Sequence, residues 1–297
     1  MNQPFRRSLF VLAAVAAGLT AGHLRAADEA PKPPDAQPPA ATTVDKGLIG
    51  QAQEWEVHDR KRPQPPVVTP GTFPTQDAAG TAPADAIVLF DGKDLSRWKA
   101  DKGGGEPLWK VENGYFEIVP KSGGISTKDK YPSDLQVHAE FRMPDPPKGK
   151  DQDRGNSGLF ILGQYEFQVL DNFEAETYAD GMVGAIYGQY PPHVNAARKP
   201  GEWQAYDIIF HGPRFDEEGK LTRPARATVL LNGILVQDNV ELKGPTGHMR
   251  LAEYKKSPET GPIALQDHGH PVRYRNIWLR PITDKTPVAP VKPGVKH

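Results

Sequence analysis

Hydrophobic and polar residues alternate in short runs through the middle of this chain, and the alternation is cleanest between residues 135 and 143. There Leu135, Val137, Ala139, Phe141 and Met143 share one face, while Gln136, His138, Glu140 and Arg142 share the other. A period of two is what a half-buried strand requires, and it turns His138 toward solvent. A second run covers 203–211, with Tyr206, Ile208 and Phe210 opposed to Asp207, Ile209 and His211. Between them, Arg154-Gly155-Asn156-Ser157-Gly158-Leu159-Phe160-Ile161-Leu162 and Tyr165-Glu166-Phe167-Gln168-Val169-Leu170-Asp171 flank Gly163-Gln164. This reads as a hairpin with Gly163 at the first central position of a type II′ turn. That register sets Phe160 opposite Phe167, Leu159 beside Gln168 and Ile161 beside Glu166. Tyr165, Phe167 and Val169 then line the apolar face, and Glu166 and Gln168 project from the other.

Shorter runs extend the pattern. Strands are expected at 87–90, 109–111, 115–119, 226–231, 234–237 and 272–280, the last with Trp278 buried; Asn113-Gly114 and Asn232-Gly233 supply hairpin turns. Many short strands, regular turn signals and almost no amphipathic helix predict an all-β sandwich. Alternation fades over residues 172–200, where Tyr187, Gln189, Tyr190 and His193 lie in a long excursion suited to lining a sugar site.

The ends follow different rules. Arg6 and Arg7 precede an apolar run from Leu9 to Leu19 and then small residues, the layout of a signal peptide over 1–26; the run is too short for a comfortable membrane span. Residues 27–84 are rich in Pro, Ala and Thr and read as a linker, with a short docked segment at 53–68 around Trp55 and Val57. The β domain then occupies 85–282 and a disordered tail 283–297. A periplasmic or secreted location follows, with no membrane span after signal cleavage. Cysteine is absent, so no disulfide framework or lipid-anchored cysteine is available. With 36 basic and 37 acidic residues, the charge balance argues against nucleic acid as a partner. No organic cofactor is expected.

Three polar clusters could carry chemistry: Glu166 with Gln168 and Asp171; Asp267-His268-Gly269-His270; and the 187–193 stretch. An imidazole in such a cluster is a general base or a metal ligand, but no strict metal-binding spacing occurs. An Asp beside a His in a turn also serves as a plain backbone cap. Nothing around Ser157 resembles a nucleophile elbow, which argues against acyl transfer.

Leu89-Phe90-Asp91-Gly92-Lys93-Asp94-Leu95 with Trp98, Gly155-Asn156-Ser157-Gly158, Tyr165 to Asp171, and Ala264-Leu265-Gln266-Asp267-His268-Gly269 followed by Val272-Arg273-Tyr274-Arg275-Asn276-Ile277 together resemble the DUF1080 family, the 3-keto-disaccharide hydrolases or 3-keto-glycoside hydrolase-lyases. The resemblance covers about 85–282. It implies a jelly-roll β-sandwich of the concanavalin A-like lectin/glucanase type and a carbohydrate substrate oxidised at C3. Under it, Glu166 and His268 are the catalytic pair and the candidate ligands of one divalent metal ion. Arg154, Gln168, Asp171, Tyr187, Gln189 and Asp267 would bind substrate. Two other readings stay open: a classical two-carboxylate glycoside hydrolase, against which Gln168 stands where a second carboxylate is wanted, and a non-catalytic lectin-like module.

Overall fold

The alternating runs pair into two antiparallel sheets packed face to face. In the computed structural model, which describes residues 55–62, 64–282 and 291–292, one sheet has five strands in the order Tyr165–Val169, Ser157–Ile161, Ile263–Leu265, Ile125–Thr127 and Trp98–Ala100. The other has eight. Its order is Ile234–Glu241, Arg226–Leu231, Trp203–His211, Leu135–Arg142, Arg273–Pro281, Tyr115–Glu117 and Lys110–Glu112, with Ile87–Phe90 also on Arg273–Pro281. This is the expected jelly-roll sandwich. Both Asn-Gly hairpins form, and their residues take the positive φ such turns need: Asn113 at 49° and Gly114 at 78°, Asn232 at 55° and Gly233 at 80°. Trp278 is buried as expected. Among the described residues, no helix is long and apolar enough to cross a membrane.

Inward-facing side chains of both sheets fill the core. Tyr165 and Phe167 meet Phe210 of the long sheet with ring centroids 5.1 and 6.3 Å apart. Two phenols also cross the core to fix the short sheet. The Tyr206 hydroxyl bonds Gln168 O and Gly184 N, and the Tyr274 hydroxyl donates to Ser157 Oγ at 2.7 Å. Ser157 Oγ in turn donates to Gln266 O at 2.6 Å. A buried hydroxyl so employed is a strut between sheets, since an unmade bond there would cost about 1–3 kcal/mol.

Three expectations are corrected. The hairpin register is one residue off: Glu166 pairs with Phe160, Phe167 with Leu159 and Gln168 with Gly158. Its turn spans three residues, because Leu162 as well as Gly163 takes a positive φ, 56° and 65°. Second, His138 and Glu140 are buried rather than solvent-facing. Third, the cause lies in what reads as linker. Part of 27–84 lies against the outer face of the long sheet. Gln76 exchanges hydrogen bonds of 2.9 and 2.7 Å with the Trp203 backbone, and Gly80 N donates to Glu140 Oε1 at 2.8 Å. Arg275 Nη2 donates to the carbonyls of Thr75 and Ala78 at 2.6 and 3.0 Å. Docking thus belongs to residues 75–80, whereas most of 57–68 is exposed. Trp55–Glu56 pairs in parallel with Val291–Lys292, inside the stretch read as a disordered tail. The signal-peptide reading of 1–26 and the first half of the linker lie outside the described residues.

Candidate functional site

The outer face of the five-stranded sheet carries a cleft of about 490 Å³. Glu166 and Gln168 form its floor, adjacent on one face of the Tyr165–Val169 strand and both buried. Gly158 makes room for the carboxyl: a Cβ there would lie 2.4 Å from Glu166 Oε1. Gln168 Nε2 donates to Asn156 Oδ1 at 3.0 Å, and Asn156 Nδ2 to Gln152 O at 2.8 Å, so the amides are locked in a row. Glu166 differs. Its side chain makes no hydrogen bond or ion pair with any described residue, and burial alone pushes its carboxyl from an ordinary 4.5 up to about 8. It is a neutral acid at pH 7.

Three loops form the walls. The 172–200 excursion folds back on the hairpin edge through the Phe167–Ile186 bridge and the Gln168 N to Ala185 O bond of 3.1 Å, and delivers Tyr178 and Tyr187. A second loop is tied down by Thr246, whose N and Oγ1 both donate to Gln164 O at 3.0 Å while Oγ1 accepts Glu166 N at 2.9 Å. It delivers His248. Tyr178, Tyr187 and His248 are linked in a row, with Tyr178 Oη 3.0 Å from Tyr187 Oη and Tyr187 Oη 3.0 Å from His248 Nδ1. The third loop carries His268 on the rim, with the parallel ring of His270 at 6.2 Å behind it.

Of the residues singled out from sequence, Glu166, Gln168, Tyr187 and His268 meet in this cleft. Four do not. Arg154 pairs with Asp171 at 2.7 Å and donates to Phe173 O at 3.2 Å, and the two line neighbouring clefts instead. Gln189 clasps the Lys243 N and Gly244 O backbone at 2.8 Å each. Asp267 accepts from Gly123 N and Gly269 N, both at 2.8 Å, and so is the backbone cap that fixes the His268 loop. A charged or amide side chain near a motif has no sequence signal telling ligand contact from backbone contact. His248 and Tyr178 escaped notice for a different reason: each lies in an irregular loop far in sequence from Glu166. Asn156 and Gln266 lie within the motifs quoted above and needed the fold to be placed in the cleft.

Glu166 and His268 remain the candidates for a metal ion. Among the described residues, however, no group of three or more His, Asp or Glu side chains converges as a cation site requires.

Residues 85–280 match the family described as the 3-keto-alpha-glucoside-1,2-lyase-like domain. The chain belongs to that family. Its solved relatives agree. A protein of Parabacteroides distasonis, described as a candidate glycosyl hydrolase, is 44% identical over 76% of this chain and 95% of its own, with a TM-score of 0.71. Another from the same organism, described in the same way, shares the fold at 21% identity and a TM-score of 0.50, over 67% of this chain and 94% of its own. No curated protein matches the chain. Family and relatives make this a carbohydrate-active enzyme of jelly-roll fold, and the cleft on Glu166 lies within the matched region.

Proposed function

We propose that this chain cleaves 3-keto-glucosides by elimination and hydration in the Glu166 cleft, outside the cytoplasm. A carbonyl at C3 acidifies the C2 proton. His268 takes that proton, and the electron pair passes to the C3 oxygen as an enolate. The enolate collapses to a C1–C2 double bond and expels the C1 oxygen substituent, which leaves with the proton of Glu166. The roles then reverse: the Glu166 carboxylate takes a proton from water as its oxygen bonds to C1, and His268 returns its proton to C2. The products are the free alcohol and a 3-keto sugar. His248 and Tyr187, which line the same cleft, would serve as donors to the enolate oxygen. Arg154, paired with Asp171, lines a neighbouring cleft instead.

One observation carries this reading: Glu166 is buried without a partner, its carboxyl pushed up to about 8, at the floor of a cleft that His248 and His268 also line. A retaining glycosidase would want a second carboxylate about 5–5.5 Å from the first, and the neighbouring floor position is Gln168. The arginine-containing n-region and apolar run at the N-terminus support export of the enzyme.

The test uses a 3-keto-glucoside and its unoxidised parent. Cleavage of the keto form alone is expected, falling about 10²–10⁴-fold in Glu166→Gln. EDTA should leave the rate intact; loss on chelation, restored by a divalent cation, would install an ion between Glu166 and His268. Cleavage of the parent would favour the classical hydrolase, and binding with turnover of neither would leave a lectin-like module.

A further inference from the structure

The cleft continues past its tyrosines. Tyr178, Tyr187 and His248 also line a second hollow of about 510 Å³, whose far side is made by Met249 and Leu251. The two hollows share these walls and form one groove, polar at Glu166 and apolar at its outer end. Met249 and Leu251 are 91% and 57% exposed, and Tyr178 is 42% exposed. These side chains do not dangle from a loose tip. Thr246 ties the loop base to Gln164, Arg250 N closes a turn on Gly247 O at 3.4 Å, and Met249 is turned outward at φ 52°. Apolar side chains held in water beside a reaction cleft mark a surface that a ligand covers.

We propose that this outer groove is the leaving-group subsite and that it takes an aryl aglycone. The proposal rests on the 3-keto-glucoside reading of the inner cleft: a sugar with C1 and C2 near Glu166 and His268 directs its C1 substituent away from the closed floor, and the groove beyond the tyrosines is apolar. Its chemistry selects a flat ring. A thioether makes favourable contacts at the edge of an aromatic ring and adapts to its position, while Leu251 supplies apolar area. One acidic and one basic residue, Asp180 and Arg250, border the groove and give it no net preference for an ionic group. A second sugar could reach Asp180 and Arg250, but Met249 and Leu251 would offer its hydroxyls only a weak thioether acceptor.

The experiment compares matched phenyl and methyl 3-keto-glucosides of one anomeric configuration, in wild type and in Met249→Ser/Leu251→Ser. Taking the ratio of ratios cancels the better leaving ability of phenol. The phenyl-to-methyl ratio of kcat/KM should fall about tenfold in the double variant, the size expected for lost apolar contact in a pocket, with the change mainly in KM. An unchanged ratio, with both substrates cleaved, would overturn the aryl subsite and leave the inner cleft intact. Cleavage of neither compound by wild type would instead remove the reading on which it rests.

Discussion

Two glutamates sit at alternating positions on strands of opposite sheets, both buried on an outward face, and they have opposite fates. Glu140 on the long sheet is surrounded: Arg275 Nε bonds it at 2.5 Å, Asn276 Nδ2 at 2.7 Å and Gly80 N at 2.8 Å, with His138 Nε2 at 3.6 Å. Burial would raise its carboxyl, but His138, Asn276, Gly80 and Arg275 outweigh burial and hold it low. Glu166 on the short sheet has burial and nothing else, and rises to about 8. Depth is therefore no guide to role. A buried carboxylate whose lone pairs are all occupied holds the fold, and one left bare has its proton available for transfer.

The largest break of this contrast is Arg275→Ala. It removes the ion pair that Arg275 Nε makes with Glu140, the cap on the Thr75 and Ala78 carbonyls, and a cation packed 4.1 Å from the Trp203 ring. Breaking a buried ion pair costs about 3–5 kcal/mol; with His138, Asn276 and Gly80 still on Glu140, urea unfolding should read a loss at the lower end of that range. A cost under about 1 kcal/mol would mean that Glu140 is solvated after all, and the distinction between the two faces would fall.

Glu166→Gln makes the reciprocal case, because it should stabilise. Between the ordinary 4.5 and about 8, the folded protein keeps a proton on Glu166 that the unfolded chain has lost. Stability contributed by that group is therefore complete below 4.5 and declines by roughly 1.4 kcal/mol per pH unit up to about 8. The glutamine variant lacks this decline, so its advantage should widen from pH 5 to pH 8 while its turnover is lost. Parallel pH curves for the two proteins would show that the carboxyl is not held neutral.

How much of this could be read beforehand differs by face. The strands, both Asn-Gly turns and the pairing of Glu166 with Gln168 on one face follow from a period of two and from turn chemistry. The one-residue register error arose because Leu162 accepts a positive φ that its residue type does not advertise. Burial of His138 and Glu140 was hidden for a stronger reason. The covering segment makes several of its bonds through the backbone of Thr75, Ala78 and Gly80. Backbone groups leave no pattern in composition, so a Pro- and Gly-bearing strap looks the same as a linker. On the cleft side, Glu166 and His268 were legible through motifs, while His248 was not, since its placement depends on Thr246 gripping the hairpin.

The smallest effect tests how the covered face holds its charge. His138 stacks on Trp278 at 5.0 Å and its Nδ1 lies 2.8 Å from Asp207 Oδ1. Burial pulls its pKa down, but Asp207 and Glu140 more than reverse this, raising it from 6.5 to about 9. The folded imidazole is therefore charged where the unfolded one is not: the stability it brings is full below 6.5 and disappears as pH climbs through about 9. Asp207→Asn keeps an acceptor at Nδ1 and removes only the charge. Because Asp207 is 37% exposed at its side chain, water screens the pair, and the cost near pH 6 should be only about 1 kcal/mol. It should shrink toward zero by pH 10, where His138 is neutral in both proteins. A cost that persists unchanged at pH 10 would assign Asp207 a packing or backbone role, leaving Glu140 alone to hold the imidazolium.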